Sequence, residues 1–147
     1  MQIPKEDLYL LWVKALIRND QWQYLMLLAD RSTLYGRECI YRDIPGGRVD
    51  RGDDILSTLT REILEETWID DIKIWAAIWT TVSNIRVPYP ETDFWLILSL
   101  YIANSSTTKI VLSDEHTKYE WCDASTPIER LSNKYPQEFL NQLAQSL

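Results

Sequence analysis

The sequence predicts an α+β fold in which a mixed β-sheet lies between layers of helices. Segments with strand character occur both before and after one amphipathic helix at residues 55–67. A second helix with an apolar side is expected at the end of the chain, at residues 136–145. A sheet buries its apolar faces by packing against helices, so these elements suggest a sheet between two helical layers. Connectivity alone does not settle the arrangement.

The segments before the central helix predict a hairpin. Residues 8–18, LYLLWVKALIR, are rich in β-branched and aromatic side chains, as strands are. Asn19-Asp20 supplies a turn, and residues 22–29 follow as the second strand. A polar loop is expected at residues 30–37, after which residues 39–42 lead to the glycine pair Gly46-Gly47.

The central helix has one apolar stripe. Ile55, Leu59 and Ile63 recur at i, i+4 and i+8, with Leu56 and Leu64 beside them. This stripe can lie on the core, and we expect Asp53 or Asp54 to cap the helix at its N-terminus.

The segments after the helix predict the rest of the sheet. Residues 92–103, TDFWLILSLYIA, form the most apolar run and are expected to be a buried central strand. Further predictions are one or two strands at 72–82, a proline-containing loop at 84–90, short strands at 110–112 and 118–122, and a small helix at 127–131 capped by Ser125 or Thr126.

Length and charge limit the functional classes. The 147 residues are predicted to form a single domain, residues 1–147, which is long enough to bury a full core. The formal net charge of −7 argues against an extended nucleic-acid-binding surface, because phosphate contacts require clustered Lys and Arg. A small nucleotide that is screened by a metal ion remains compatible with this charge.

The cysteines and the N-terminus indicate a cytoplasmic protein. Cys39 and Cys122 are far apart and neither belongs to a C-x-x-C pair, so we expect neither a disulfide framework nor a zinc site. Charged residues interrupt the N-terminal segment, so we expect no signal peptide, and no apolar run approaches the length of a membrane span.

One face of the central helix carries an excess of acidic residues. Glu62, Glu65 and Glu66 stand at i, i+3 and i+4 and therefore share a patch one turn long, without interleaved lysines. Mg²⁺ prefers carboxylate oxygens and commonly takes its remaining ligands from substrate phosphates. The preceding Gly46-Gly47 turn can bring a backbone carbonyl close to such an ion. The pattern therefore indicates a metal-phosphate site.

Residues 47–69 resemble the motif of the Nudix hydrolases, G-x5-E-x7-R-E-U-x-E-E-x-G-U, in which U is a bulky aliphatic residue. The matching positions are Gly47, Arg61, Glu62, Ile63, Glu65, Glu66 and Ile69. Asp53 stands where the family has Glu, and Trp68 stands where it has Gly. Since a bulky residue disfavours the positive φ that glycine adopts there, we expect the helix to continue and to stop near Asp70-Asp71.

The resemblance implies a Nudix fold, an α/β/α sandwich, and a role for each matching residue. Mg²⁺ ions, for which Mn²⁺ is an alternative, are expected to be bound by Glu65 and Glu66 with help from Glu62 and the Gly46 carbonyl. Glu62, or a glutamate of residues 115–120, is expected to take a proton from the attacking water. Arg61 is expected to orient the site through an ion pair with Glu65.

A second acidic segment, residues 113–121, resembles the loop that delivers a further glutamate to the metal in many Nudix enzymes. Glu115 has the better spacing from Trp121, Glu120 is the competitor, and a solvated acidic loop is the alternative. His116 is the only histidine, and no recognisable partner in the sequence makes it catalytic. Trp75, Trp79, Trp95 and Trp121 are expected in the core or in a cleft wall.

The family implies hydrolysis of a nucleoside diphosphate linked to X at a phosphoanhydride bond. Because the chain is short, a nucleoside triphosphate, oxidised or not, is the first substrate hypothesis, with monophosphate and pyrophosphate as products. Dinucleoside polyphosphates and ADP-ribose are the alternatives, and a third is a Nudix domain that binds a nucleotide as a sensor without hydrolysing it. The many tryptophans and tyrosines would also suit a homodimer interface.

Overall fold

The computed structural model describes residues 6–30, 32, 36, 38, 40–88 and 93–147, and it contains a seven-stranded mixed sheet with helices on both faces. The strands are β1 (Tyr9–Arg18), β2 (Tyr24–Asp30), β3 (Ile40–Asp43), β4 (Gly46–Arg48), β5 (Lys73–Pro88), β6 (Asp93–Asn104) and β7 (Lys118–Cys122). The helices are α1 (Ile55–Thr67), α2 (Ser125–Arg130) and α3 (Gln137–Ser146), with a 3-10 turn at Leu131–Asn133 between the last two. This confirms the predicted α/β/α arrangement.

The sheet is organised around β1 and β6. These two strands pair in parallel along the whole of β1, from Tyr9 opposite Trp95 to Arg18 opposite Asn104. The other pairings are antiparallel, and the main order is β3-β2-β1-β6-β5. The short strand β4 pairs with β1, and β7 pairs with β2. The glycine pair at positions 46 and 47 is therefore held directly against the central strand.

Alternation along β1 divides the core into two layers. Val13, Ala15 and Ile17 are fully buried against α1, where they meet Leu59 and Ile63. Side chains of the opposite face, such as Leu16, pack with the C-terminal helix α3. Since successive residues of a strand point to opposite faces, one strand supplies both layers of the sandwich.

Two expectations for loops and strands are corrected. Residues 84–88, predicted as loop, continue β5 as far as Pro88, and a sequence of register shifts against β6 bends this long strand. Residues 110–112 form no regular strand, although Ile110 is buried and the Val111 amide donates to the Thr67 carbonyl. Parts of the loops predicted at 30–37 and 84–90, and Cys39, lie outside the described residues.

The end of α1 differs from the prediction. The helix begins after Asp54, whose carboxylate accepts the Ser57 amide at 2.9 Å, but it stops at Thr67 instead of running on. Trp68 adopts the left-handed conformation, with φ of 62°, and its amide donates to the Leu64 carbonyl at 2.9 Å. Its side chain is 68% exposed, so the indole lies outside the core. The unfavourable positive φ of a non-glycine residue is therefore the main cost of this turn.

Two further details of the helices correct the sequence analysis. Leu56 and Leu64 are about half exposed and do not join the apolar stripe of α1. The start of α2 is held by Asp123, whose carboxylate accepts the amides of Ser125 and Thr126, and not by either hydroxyl as a cap. Among the described residues, no helix is long and apolar enough to cross a membrane.

Candidate active site

The main cleft has a volume of about 790 Å³ and joins groups of opposite charge. The first group, here called the acidic end, comprises Glu62 and Glu66 of α1 together with Glu115 and His116 of the loop before β7. The second group, the basic end, comprises Lys14, Asp43 and Lys134 with the aromatic residues Trp12 and Tyr41. The glycine pair of β4 lies between them in the cleft wall.

The two glycines of β4 let the central helix approach the sheet. Gly46 has φ of 142°, and a Cβ there would lie 2.0 Å from the Val13 carbonyl oxygen. A Cβ at Gly47 would lie 2.5 Å from the Glu62 carboxyl carbon. Any side chain at these positions would therefore displace β1 or the Glu62 carboxylate.

Glu66 is the most enclosed carboxylate of the acidic end, since the residue is only 6% exposed. Its Oε2 accepts the Gly46 amide at 2.9 Å, and its Oε1 lies 3.3 Å from His116 Nε2. Two directional contacts from different segments fix the carboxylate. This rigidity suits a metal ligand, which must keep its geometry while the substrate changes.

Glu62 lies beside Glu66 and is less enclosed. Burial, followed by the charges of Glu66 and Glu65, raises the pKa of the Glu62 carboxyl above its usual value. The Arg61 guanidinium lies 3.5 Å from Glu62 Oε1 and opposes this effect. A cation bound among these carboxylates would relieve their mutual repulsion.

Arg61 and Glu65 lie at the outer rim of the acidic end. Arg61 is 4.0 Å from Glu65 and 3.8 Å from Asp53, so one guanidinium links three acidic side chains of the motif region. The Glu65 side chain is 56% exposed and is not part of the cleft wall formed by the described residues. Asp53, the shorter replacement for the motif glutamate, still reaches Arg61.

The loop before β7 brings Glu115 and His116 to the acidic end. Ligand atoms of Glu66, Glu115 and His116 all lie within 4.8 Å of one another, which lets one cation contact all three. Glu120 instead lies on β7 opposite Met26 and forms an ion pair with Arg130. Of the two candidates left open by the sequence, the structure places Glu115 in the cleft.

His116 joins the site through a contact that the sequence analysis missed. The ring is 11% exposed, and its Nε2 lies against Glu66, while no described residue accepts or donates a hydrogen bond at Nδ1. Fifty positions separate the two residues. The only sequence signal was the position of the histidine directly after a candidate ligand.

The basic end is a buried cluster that the sequence analysis also missed. Lys14 of β1 and Lys134, which follows the 3-10 turn, each contact Asp43 Oδ2, at 2.9 Å and 2.8 Å. All three residues are at most 5% exposed. Burial alone would raise the pKa of the Asp43 carboxyl, but the two ammonium groups outweigh burial and hold it well below its usual value. A lysine within the apolar run of β1 was the one available signal.

The remaining candidates are mostly outside the cleft. Trp75 and Trp79 are about half exposed on β5, contrary to the expectation of a core or cleft-wall position, and Trp95 stacks on Arg86 at 4.5 Å. Among the described residues, the cleft is lined by one tryptophan, Trp12, and by one arginine, Arg48. Arg48 is paired with Asp50 at 3.0 Å near the mouth.

Comparison with known proteins identifies relatives of this fold and motif. The sequence model of the NUDIX domain family matches residues 9–142 of this chain. No curated protein is significantly similar in sequence.

Solved structures resemble nearly the whole chain. The MutT protein from Methanosarcina mazei Go1 has a TM-score of 0.70 and 22% identity, covering 97% of this chain and 98% of its own. The E. coli dihydroneopterin triphosphate pyrophosphohydrolase has a TM-score of 0.70 and 18% identity, with 96% and 100% covered. A C. elegans Ap4A hydrolase has a TM-score of 0.64 and 19% identity, with 93% and 96% covered. At such identities the likeness shows a shared fold.

Proposed function

The chain belongs to the NUDIX family of hydrolases, and from this premise we propose that it is a metal-dependent pyrophosphohydrolase that converts a nucleoside triphosphate to a monophosphate and pyrophosphate. One observation carries the proposal. The acidic end of the cleft places carboxylates from α1 and from the loop before β7 around one point, beside the glycine pair of β4. The motif predicts the helical part of this cluster, and the loop before β7 adds Glu115 and His116 to it.

The residues of the acidic end fit a divalent cation. Glu66, Glu115 and His116 supply two carboxylates and one imidazole within 4.8 Å of one another. The Gly46 carbonyl, Glu62 and Glu65 are further proposed ligands at the cleft wall and rim. Carboxylate and carbonyl oxygens suit both Mg²⁺ and Mn²⁺, whereas an imidazole ligand is more usual on softer transition metals.

A divalent cation at this site would neutralise the diphosphate and polarise its phosphoryl oxygens. Glu62 would remove the proton from the attacking water, because its carboxylate lines the cleft beside Glu66 and is less enclosed than that ligand. The water oxygen forms the new bond to phosphorus, the bridging P–O bond breaks, and the proton moves to a carboxylate oxygen of Glu62. Arg61 holds Glu62 and Glu65 in place through its contacts at 3.5 and 4.0 Å.

The dimensions of the cleft support a nucleotide as substrate. Its volume of about 790 Å³ lies within the range of about 300–1,000 Å³ that small-molecule sites occupy. Apolar side chains such as Ile85, Val87 and Leu96 line part of the wall, which suits a base, while the acidic end suits metal-bound phosphates. Relatives of the same fold are named for dihydroneopterin triphosphate and for Ap4A, and both compounds belong in the substrate panel.

A product-release assay tests this proposal. Purified protein with Mg²⁺ or Mn²⁺ is incubated with nucleoside triphosphates, oxidised nucleotides, dinucleoside polyphosphates and ADP-ribose, and pyrophosphate and phosphate are measured. We expect pyrophosphate release from a triphosphate, loss of activity with a chelator and in Glu66→Gln, and unchanged activity in Glu129→Gln, an exposed glutamate of α2. Metal-dependent nucleotide binding without hydrolysis of any compound would contradict the proposal and favour a sensor.

A further inference from the structure

The basic end carries an excess of positive charge that no described side chain balances. Two ammonium groups share a single carboxylate oxygen, Asp43 Oδ2, so the cluster has a net charge of +1. Because all three residues are at most 5% exposed, water screens this charge poorly. The cluster lines the cleft, where a ligand can meet it.

The acceptors of the cluster are already used. Asp43 Oδ2 accepts from Lys14, from Lys134 and from the Tyr41 hydroxyl, the last at 3.2 Å. Asp43 Oδ1 accepts the Ile44 amide at 2.8 Å. The carboxylate therefore has little capacity left to accept a hydrogen bond from a ligand.

The donors of the cluster are not all used. Besides Asp43, Lys14 donates to the Ile44 carbonyl at 3.2 Å and Lys134 to the Tyr41 hydroxyl at 3.1 Å. An ammonium group has three N–H bonds, and no described residue accepts the third from either lysine. The buried Nε1–H of Trp12 also has no partner among the described residues, and its ring lies 5.4 and 5.0 Å from the two ammonium nitrogens.

We propose that the basic end binds the oxo edge of the substrate nucleobase, and that Lys14 and Lys134 are specificity-determining residues that favour 6-oxopurine and 4-oxopyrimidine nucleotides over their amino counterparts. This assignment rests on the proposed nucleotide hydrolase function. A carbonyl oxygen accepts the unused N–H bonds, whereas an exocyclic amino group would point its own donors at two ammonium groups.

An anionic group such as a phosphate is an alternative ligand for the basic end, because it also carries acceptor oxygens. The surroundings favour the base, because Ile85, Val87 and Leu96 border the cleft with apolar surface next to the Trp12 indole. A flat ring can pack against these side chains. A phosphate would lose its hydration there, and apolar side chains offer no hydrogen-bond donors to replace the lost water.

Matched nucleotides that differ by one functional group test the proposal. ITP and ATP differ at position 6, where ITP has an oxo group and ATP an amino group. For the wild-type protein we expect kcat/KM to be at least about tenfold higher for ITP than for ATP. Lys134→Met and Lys14→Met should each lower the value for ITP much more than the value for ATP and so reduce the ratio.

The controls separate specificity from folding. Each single variant leaves the other lysine paired with Asp43 as a neutral pair, and circular dichroism checks that it folds. Lys73→Met removes an exposed lysine of β5 and should keep the wild-type ratio. A wild-type protein without preference for ITP, or an unchanged ratio in both folded variants, would overturn the proposal.

Binding of the monophosphates tests the same subsite independently of hydrolysis. The dissociation constants of IMP and AMP, measured by calorimetry for the wild-type protein, should differ by at least about tenfold in favour of IMP even if no triphosphate is hydrolysed. Equal affinities would overturn the assignment while leaving the hydrolase proposal untouched. If adenosine 3′,5′-bisphosphate bound more tightly than IMP, and lost this advantage in Lys134→Met, an anionic group would replace the base in this subsite.

Discussion

The two ends of the cleft carry opposite charges and differ in how those charges are exposed to solvent. At the acidic end, carboxylates repel one another, the Glu62 side chain is 20% exposed and Glu65 is more than half exposed. At the basic end, the charged side chains are almost completely buried and are joined through one shared carboxylate oxygen. Repulsion that is open to solvent can be relieved by a mobile ion, whereas a buried cluster needs a counter-charge held by the fold, and Asp43 supplies this for one of the two lysines. The acidic end is thus suited to exchange its cation, and the basic end to stay fixed.

The largest expected effect is at the acidic end. Glu66→Gln should lower kcat by at least about 1,000-fold, or about 4 kcal/mol in activation free energy, because it removes the enclosed carboxylate at the proposed metal position. The amide oxygen can still accept the Gly46 amide, so the fold should persist. Steady-state kinetics and Mn²⁺ titration followed by electron paramagnetic resonance measure both consequences. Activity within tenfold of wild type would remove Glu66 from the metal site.

The corresponding change at the basic end should affect stability first. Asp43→Asn leaves two buried ammonium groups without a counter-charge and should cost about 3 kcal/mol in free energy of unfolding near pH 7. Because the folded protein holds the pKa of Asp43 well below its unfolded value of about 4, this carboxylate stabilises the fold above that pH and loses its effect as the pH falls further.

The stability deficit of Asp43→Asn should therefore be largest at neutral pH and shrink below about pH 4. Urea denaturation at several pH values measures it, with Asp70→Asn as an exposed control. A deficit that does not depend on pH would show that the ion pairs are not its source.

A smaller effect should separate the two glutamates near β7. Glu115→Gln is expected to lower kcat by roughly 30-fold, since it removes one of several ligands, while Glu120→Gln should change it by less than about threefold. The pair is matched, because both changes remove one negative charge from neighbouring positions. The reverse ranking would move the last metal ligand to β7.

The smallest expected effect concerns the end of α1. Trp68→Gly should raise the free energy of unfolding by about 0.5–1 kcal/mol, since glycine adopts a φ of 62° without strain but has a more flexible unfolded chain. Trp68→Ala removes the same indole and keeps a Cβ, so it should give no such gain. Thermal denaturation of the three proteins checks this, and equal stability of both variants would locate the effect in the side chain.

The contrast between the ends also explains what the sequence predicts. Glu62, Glu65 and Glu66 share one helix, so spacing alone brings them together and the motif identifies the family. The contact between Glu66 and His116 joins positions 50 apart, and in the basic end the contact between Asp43 and Lys134 joins positions 91 apart. Such long-range contacts depend on tertiary packing, for which a single sequence carries no periodic signal.

The errors have the same physical origin. Local conformational preference disfavours a left-handed Trp68, yet packing of the loop that follows α1 fixes the end of the helix, with Ile69 fully buried one residue later. The prolines predict a loop at residues 84–90, but pairing of Arg86 and Val87 with β6 extends β5 as far as Pro88. In both places tertiary contacts outweigh local propensity.

The most direct test of the account is a crystal structure of Glu62→Gln with Mn²⁺ and ITP, in which anomalous scattering locates the metal. We predict manganese against Glu66, Glu115 and His116 and the oxo edge of the base against Lys14 and Lys134. Manganese at another site, or the base outside the basic end of the cleft, would contradict the division of the cleft into a metal end and a base end.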